Sequence, residues 1–388
     1  MLRSLQALMG LALAAGLATA PSAHAEDPIK IAALYNLTGG MSSIDAPAYR
    51  GAQLRVKQIN ENGGLLGRKV ELVGIDTQTD QQEAAKGAQK AVSQDVVAGI
   101  GYGDTTFTMA AAPVFQKNSI PFVTSGATHP KLPEWVGNYM FMTAFGDDDQ
   151  SYAIADYAYN QLDLRKVGVW TDRSMDFTMA ISKFFQERWK DLGGEIVAQD
   201  SFMAGDTDFS AQIARLKNAD EVEAVYIAAI PSEAGLTVKQ IREAGIDMPI
   251  ISADGFDTEL VATVPGPQNA NDVWFSSHAY RASDRQTVKD FIQAYKDEFG
   301  REPENSFCPL GYDAIGLVAN AIRKAGSAEP SAIRDALEKT RGYDAVTGEI
   351  SYVRDSGVPP KPIAVIEVQN AQFEQVDMWY PEGFGPSN

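Results

Sequence analysis

Residues 96–132 read VVAGIGYGDTTFTMAAAPVFQKNSIPFVTSGATHPKL and hold one unit twice over. An apolar run, VVAGIG (96–101), ends in a turn of glycines and hydroxyls, GYGDTT; after an apolar helical segment, Phe107 to Lys117, the run IPFVTS (120–125) ends in a similar turn, TSGATH. Strand-length runs alternating with segments of helical period build parallel sheets covered by helices. In such open sheets, ligands bind beyond the carboxyl ends of the strands, and both turns lie at that end of neighbouring units.

Working outward, the alternation continues in both directions. Upstream lie the strand IKIAALY (29–35), a helix from Pro47 to Asn62 stopped by Gly63 and Gly64, the strand KVELVGID (69–76) and a helix from Gln81 to Ser93. Downstream, a helix near Asp147 opens a second series, with strands KVGVW (166–170), EIVAQD, AVYIAA (224–229) and PIISA (249–253) separated by helices. The order changes after residue 280. Two long helical segments, 284–299 and 307–325, precede a shorter one from Ser331 to Thr340, and GEISYV, PIAVIEV and FEQVDMW read as short antiparallel strands. The fold class is α/β. No low-complexity linker parts the two halves, so the domains are expected to exchange segments.

The first 25 residues have Arg3, an apolar middle from Leu8 to Leu17 and Ala23-His24-Ala25 at the end. That is the pattern of a secretory signal cleaved after Ala25. Setting these aside leaves 363 residues, enough for two domains at roughly 150 residues each. The formal charge of −18 becomes −19 without Arg3. An acidic chain offers no basic face to a nucleic acid. Cys308 is the only cysteine, so it has no disulfide partner within the chain, and its expected role is that of a buried small hydrophobe.

The chemistry that the turns do not support is informative. Ser125 stands near His129, but the G-x-S-x-G spacing is missing, and only His129 and His278 remain as imidazoles beyond the leader. One cysteine and two distant histidines give no zinc-ligand spacing. Asp147, Asp148 and Asp149 point in different directions on a helix and read as a dipole-favoured first turn. The glycines of GIGYGDTT fit neither G-x-G-x-x-G nor a phosphate loop. What the turns do offer is hydroxyls, Thr105 and Thr128, beside unpaired backbone N–H groups at helix starts. Such a neutral cradle can hold a carboxylate and release it, which suits carriage better than catalysis. No cofactor is called for.

The ordered set IKIAALYNLTGGMSSI, RGAQLRVKQINENGGLLGRKVELVGIDTQTD, GYGDTT with VTSGATHP, DTDFSAQIARLKNADEVEAVYIAA, and SADGF resembles the periplasmic leucine/isoleucine/valine-binding proteins, the solute receptors of amino-acid ABC importers. The resemblance spans essentially all of the chain beyond the leader. It implies a type I periplasmic binding fold, two doubly wound α/β lobes joined by three crossovers with a ligand cleft between them. The crossovers are expected near residues 146, 277 and 350, giving lobe 1 as 26–146 with 277–350 and lobe 2 as 147–276 with 351–388. It also implies a monomeric, non-enzymatic periplasmic receptor that docks on membrane permease subunits.

By the same resemblance, Thr105, Gly126 and Thr128 hold the α-carboxylate and α-ammonium of an amino acid, and Asp254 in SADGF completes the ammonium site. Asp254 is one methylene shorter than the glutamate of well-known members. The places matching the side-chain pocket hold Ile44, Ile230, Phe177 and Phe307, where relatives often carry aromatic residues at the first two. The ligand so implied is an aliphatic or other apolar amino acid. The alternatives are an amide, a urea-like compound or an aromatic carboxylate, or a sensing subunit in place of a transport component. Each residue also has a plainer reading: Ile44, Ile230 and Phe307 as core, Thr128 as a turn cap, Asp254 as the start of a helix.

Overall fold

The computed structural model describes residues 27–219, 221–278, 282–353 and 357–384; the expected leader lies outside them. The chain first lays down β1 (Ile29–Tyr35), α1 (Ser42–Glu61), β2 (Val70–Asp76), α2 (Gln81–Val92), β3 (Ala98–Gly101), α3 (Thr105–Lys117), β4 (Phe122–Thr124), α4 (Leu132–Val136) and β5 (Met140–Met142). These strands form a parallel sheet in the order β2-β1-β3-β4-β5. β1 is the second strand but lies between β2 and β3, so the winding reverses there, and the strand ends at that point open into a crevice.

After Met142 the chain leaves this sheet. It builds α5 (Asp147–Asn160), β6 (Lys166–Asp172), α6 (Asp176–Asp191), β7 (Glu195–Phe202), α7 (Ser210–Asn218), β8 (Ala224–Ala228), α8 (Pro231–Glu243), β9 (Ile250–Ser252), a 3-10 turn (Asp254–Phe256), α9 (Leu260–Thr263) and β10 (Val273–His278). It then returns to cover the first sheet with α10 (Gln286–Phe299), α11 (Phe307–Ala325), α12 (Pro330–Glu338) and the hairpin β11 (Tyr343–Ala345) and β12 (Gly348–Ile350). Finally β13 (Ile363–Gln369) adds antiparallel to β10, and β14 (Gln372–Trp379) to β13. The second sheet runs β14-β13-β10-β9-β8-β6-β7. Each lobe therefore contains chain from both sides of the other.

Two helices set the crevice wall of the first lobe. α1 and α11 cross in near backbone contact because Gly51 and Gly311 face each other's helix: a Cβ on Gly51 would stand 1.8 Å from the Cys308 carbonyl oxygen, and one on Gly311 1.9 Å from that of Ala48. Glycine alone permits this approach. α1 begins at Ser42, five residues ahead of the start read from Pro47. Proline inside a helix leaves the carbonyl four residues back without its N–H; here that carbonyl, Ser43 O, accepts a hydrogen bond from Asn305 Nδ2 at 2.9 Å instead. α3 also begins earlier than its apolar pattern suggests, at Thr105, because Asp104 Oδ1 accepts from Thr106 N at 2.7 Å as an N-cap.

Two strands escaped the sequence pattern. β5 has three residues, too few for a period. β10 ends in Ser-Ser-His, yet all six of its residues are buried, because Ser276, Ser277 and His278 each meet a buried polar partner. The ends of the passes between sheets meet one another: Tyr352 Oη donates to Met142 O at 2.9 Å and Lys361 Nζ to Thr143 O at 2.8 Å. No described helix is long and apolar enough to cross a membrane.

Candidate functional site: a head-group clamp between two lobes

The crevice residues of the first lobe come from three loops. Asp45, in the first turn of α1, accepts from Asn36 N at 2.8 Å through one oxygen and from Gly103 N at 2.7 Å through the other. One carboxylate thus fixes the loop after β1 to the loop after β3. Burial pushes it up to about 7, partly offset by these two N–H donors. Asp104 is likewise pushed up to about 7 by burial. Next to it, Thr105 begins α3 fully buried, and its Oγ1 has no hydrogen-bond partner among the described residues.

The turn after β4 supplies Gly126 and Thr128. A Cβ on Gly126 would come within 2.7 Å of the Phe307 ring and 3.1 Å of Gly103 Cα, so the backbones of the two turns lie against each other with the ring beside them. Ile44 Cδ1 and Phe307 both border Gly103. Thr128 is buried and caps nothing: its Oγ1 sits beside the Asp147 carboxyl, yet neither it nor Asp147 Oδ2 completes a hydrogen bond among the described residues. Two buried hydroxyls without partners, close to stacked glycine turns, are costly unless something else satisfies them.

The second lobe contributes carboxylate. Asp254, first residue of the 3-10 turn, is buried and caps no backbone N–H with its side chain. Its Oδ1 accepts from Gln150 Nε2 at 3.1 Å, and its Oδ2 lies 3.3 Å from His278 Nε2. Gln150 also donates to Asp147 Oδ1 at 2.9 Å and accepts from Asp254 N and Ser276 Oγ. Burial pushes Asp254 up to about 8 and Asp147 well above the carboxylate range. The Tyr226 hydroxyl, buried within the field of both, has no hydrogen-bond partner among the described residues. Apolar walls complete the crevice. Phe177 lies against Gly255, next to Asp254, while Ile230 Cδ1 and Ser232 Oγ stand at 3.8 and 2.9 Å from a Cβ built on Gly40 across the crevice.

The lobes touch directly around this pocket. Asp176 N donates to Thr106 Oγ1 at 3.0 Å, Thr258 Oγ1 to Ser43 Oγ at 3.1 Å, and Ser306 N to Asp257 Oδ2 at 3.0 Å. All eight residues singled out from the sequence, Thr105, Gly126, Thr128, Asp254, Phe177, Phe307, Ile44 and Ile230, lie on the facing surfaces of the two lobes. Sequence reasoning missed Asp45, Asp147, Gln150, Tyr226 and His278. Of these only His278 carried a signal, as one of two imidazoles beyond the leader. Among the described residues, no group of three or more His, Cys, Asp or Glu side chains is placed to hold a metal ion.

Comparison with known proteins agrees with this architecture. The leucine-binding protein LivK of Thermotoga maritima is 30% identical and superimposes with a TM-score of 0.85, over 91% of this chain and 99% of that one. LivJ of Streptococcus pneumoniae, a branched-chain amino acid transporter substrate-binding protein solved with isoleucine, is 32% identical with a TM-score of 0.86, covering 92% and 100%. The Leu/Ile/Val-binding protein homolog 1 of Brucella abortus is 28% identical over 353 residues, 91% of this chain and 93% of its own. These relatives are binding proteins, not enzymes. With the periplasmic binding protein family model matching residues 28–372, the chain belongs to that family, as a two-lobed solute-binding protein of the leucine/isoleucine/valine-binding type.

Proposed function

We propose that the chain is the periplasmic receptor of an ABC importer and that it carries an aliphatic amino acid, delivering it to the membrane permease. The observation that carries the amino-acid assignment is one of complementarity. Unpartnered hydroxyls of Thr105 and Thr128 face the crevice from one lobe, and a buried carboxylate, Asp254, with no lysine or arginine bonded to it among the described residues, faces it from the other. A zwitterion supplies both halves, a carboxylate for the hydroxyls and turn N–H groups and an ammonium for Asp254. Ile44, Ile230, Phe177 and Phe307 then enclose an apolar side chain.

In this reading lobe 1 is 26–146 with 277–350 and lobe 2 is 147–276 with 351–388. The protein works as a monomer, exported by a leader cleaved after Ala25. The ligand touches both lobes, so it binds the closed form better and shifts the equilibrium towards closure, offering the permease a surface that the open form lacks.

A calorimetric screen of the twenty amino acids tests the assignment. Binding of isoleucine, leucine or valine is expected, and binding by none of the twenty would overturn it. Asp254→Ala is expected to weaken an amino acid by roughly 2 kcal/mol or more. Indifference to that change would transfer the assignment to a carboxylate or neutral cargo.

A further inference from the structure

His278 ends β10, where the chain leaves the second sheet, and three aromatic or acidic groups fix its ring. Phe145, at the first pass between the lobes, stacks on it at 4.0 Å between centroids and 16° between planes. Phe307, at the head of α11, meets it edge-on at 6.1 Å. Asp254 Oδ2 lies 3.3 Å from Nε2, and both side chains are almost wholly shielded from solvent, at 0% and 2% exposure. Its other nitrogen, Nδ1, has no hydrogen-bond partner among the described residues.

Two aromatic rings leave the imidazole no room to turn away, so Asp254 and His278 meet as a fixed pair. A buried carboxylate and imidazole in contact are poorly described as two independent groups; they gain and lose protons as a unit. We propose that Asp254 and His278 share one proton while the crevice holds no cationic head group, and that an ammonium binding at Asp254 expels that proton to solvent. His278 is a positioning residue in this account. It holds Asp254 Oδ2 on one side while Gln150 holds Oδ1 on the other, and it keeps the shorter aspartate neutral until a cation arrives.

The surroundings favour one proton over none or two. The charged and titratable groups facing the pair are Asp257 from the segment after the 3-10 turn, Asp147 from α5, Tyr226 from β8 and Lys361 from the third pass. Asp257 and Asp147 raise the cost of a fully ionised carboxylate beside a neutral ring. Burial, and after it Lys361, opposes an imidazolium facing a protonated acid. Burial drives Asp254 up to about 8 and His278 well below its ordinary range, which agrees with a single retained proton near neutral pH.

The consequence is head-group selection linked to pH. An ammonium must displace the proton, so its affinity rises with pH below about 8. A carboxylic acid of the same shape without an amine leaves the proton in place and gains nothing from high pH. This inference rests on the amino-acid reading, and the experiment separates the two.

Isoleucine and its deaminated analogue, 3-methylpentanoic acid, are titrated calorimetrically in two buffers of different ionisation enthalpy at pH 6.0 and 8.5. In parallel, the imidazole resonances of the ligand-free protein are followed by NMR against pH, in the wild type, Asp254→Asn and His278→Gln. Isoleucine is expected to release close to one proton at pH 6.0 and little at 8.5, with its affinity roughly tenfold or more higher at 8.5. Release should be lost in Asp254→Asn and altered in His278→Gln, a change in proton count that a purely structural defect does not produce. Isoleucine binding without buffer dependence would overturn the inference and leave the amino-acid reading standing. Binding of none of the amino acids would overturn that reading, and the NMR titration then decides the pair: a His278 signal with an ordinary midpoint, unmoved by Asp254→Asn, refutes it.

Discussion

Gly311→Ala adds a single methyl where α11 meets α1, and the geometry fixes the sign of its effect. The new Cβ would stand 1.9 Å from the Ala48 carbonyl oxygen and 3.0 Å from Ala48 Cα. Both obstacles are backbone, so no rotamer change relieves them, and the helices must part by more than about 1 Å. Alanine in a helix interior regains up to ~1 kcal/mol over glycine. Overpacking a close interface costs ~1–3 kcal/mol, and a backbone obstacle puts this site at the upper end. The net loss is ~2 kcal/mol, which at 2–4 °C per kcal/mol for a chain of this class lowers Tm by roughly 4–8 °C. Differential scanning calorimetry of the ligand-free protein measures it. Affinity for isoleucine should fall as well, because the same crossing aims Ile44 and Phe307 at Gly103 and Gly126. An unchanged or raised Tm would mean that helix propensity outweighs contact, and that α1 and α11 do not meet at these glycines.

Thr105→Val replaces a buried hydroxyl that has no partner among the described residues, so Tm should hold or rise while isoleucine affinity drops about tenfold; a loss of Tm without a loss of affinity would make Thr105 structural. Asp104→Asn keeps the helix cap and removes a buried carboxyl whose folded value, about 7, lies above its unfolded one. That carboxyl's contribution to stability is present in full below about pH 4 and is lost as pH rises through about 7, so the variant should show a shallower decline over that window and exceed the wild type at pH 8 by up to ~4 kcal/mol in urea titrations. Parallel pH profiles for the two proteins would refute the burial of an uncompensated charge. Cys308 is fully buried, with its thiol pushed up to about 12 by burial and then by the charge of Glu304; a thiol reagent should label it only at the rate of unfolding, and rapid labelling in native buffer contradicts that packing.

The alternation of apolar runs and helical segments made the two α/β series legible, because strand length and helical period are local properties of the chain. The head-group turns were legible for a similar reason: glycines and threonines at the carboxyl ends of adjacent strands have few structural reasons to cluster. The helix starts were less so. Pro47 marks an N-terminus by its chemistry, and nothing in PAYRGAQL tells that Asn305 will satisfy the carbonyl freed at Ser43. The polar network behind Asp254 was invisible for the same reason on a longer scale. Gln150 reaches Asp254 across 104 residues of sequence, and DDDQS carries no period or motif that foretells the contact. Asp45 spans 58 residues to fix Gly103. Side chains that position a site across the fold leave no local signature, whereas those that cap or turn the chain do.

The interleaving of the two lobes bears on how the molecule comes into being. Arg55 of α1 and Tyr312 of α11 bond at 2.7 Å although 257 residues separate them, and the helices that cover one face of the first sheet are made only after the whole of β6 to β10. When the first 142 residues have left the ribosome, their sheet has one bare apolar face with no helix to lay upon it. A chain in that state cannot complete its first core early. It stays pliant through most of its synthesis, and the two lobes become finished objects almost together.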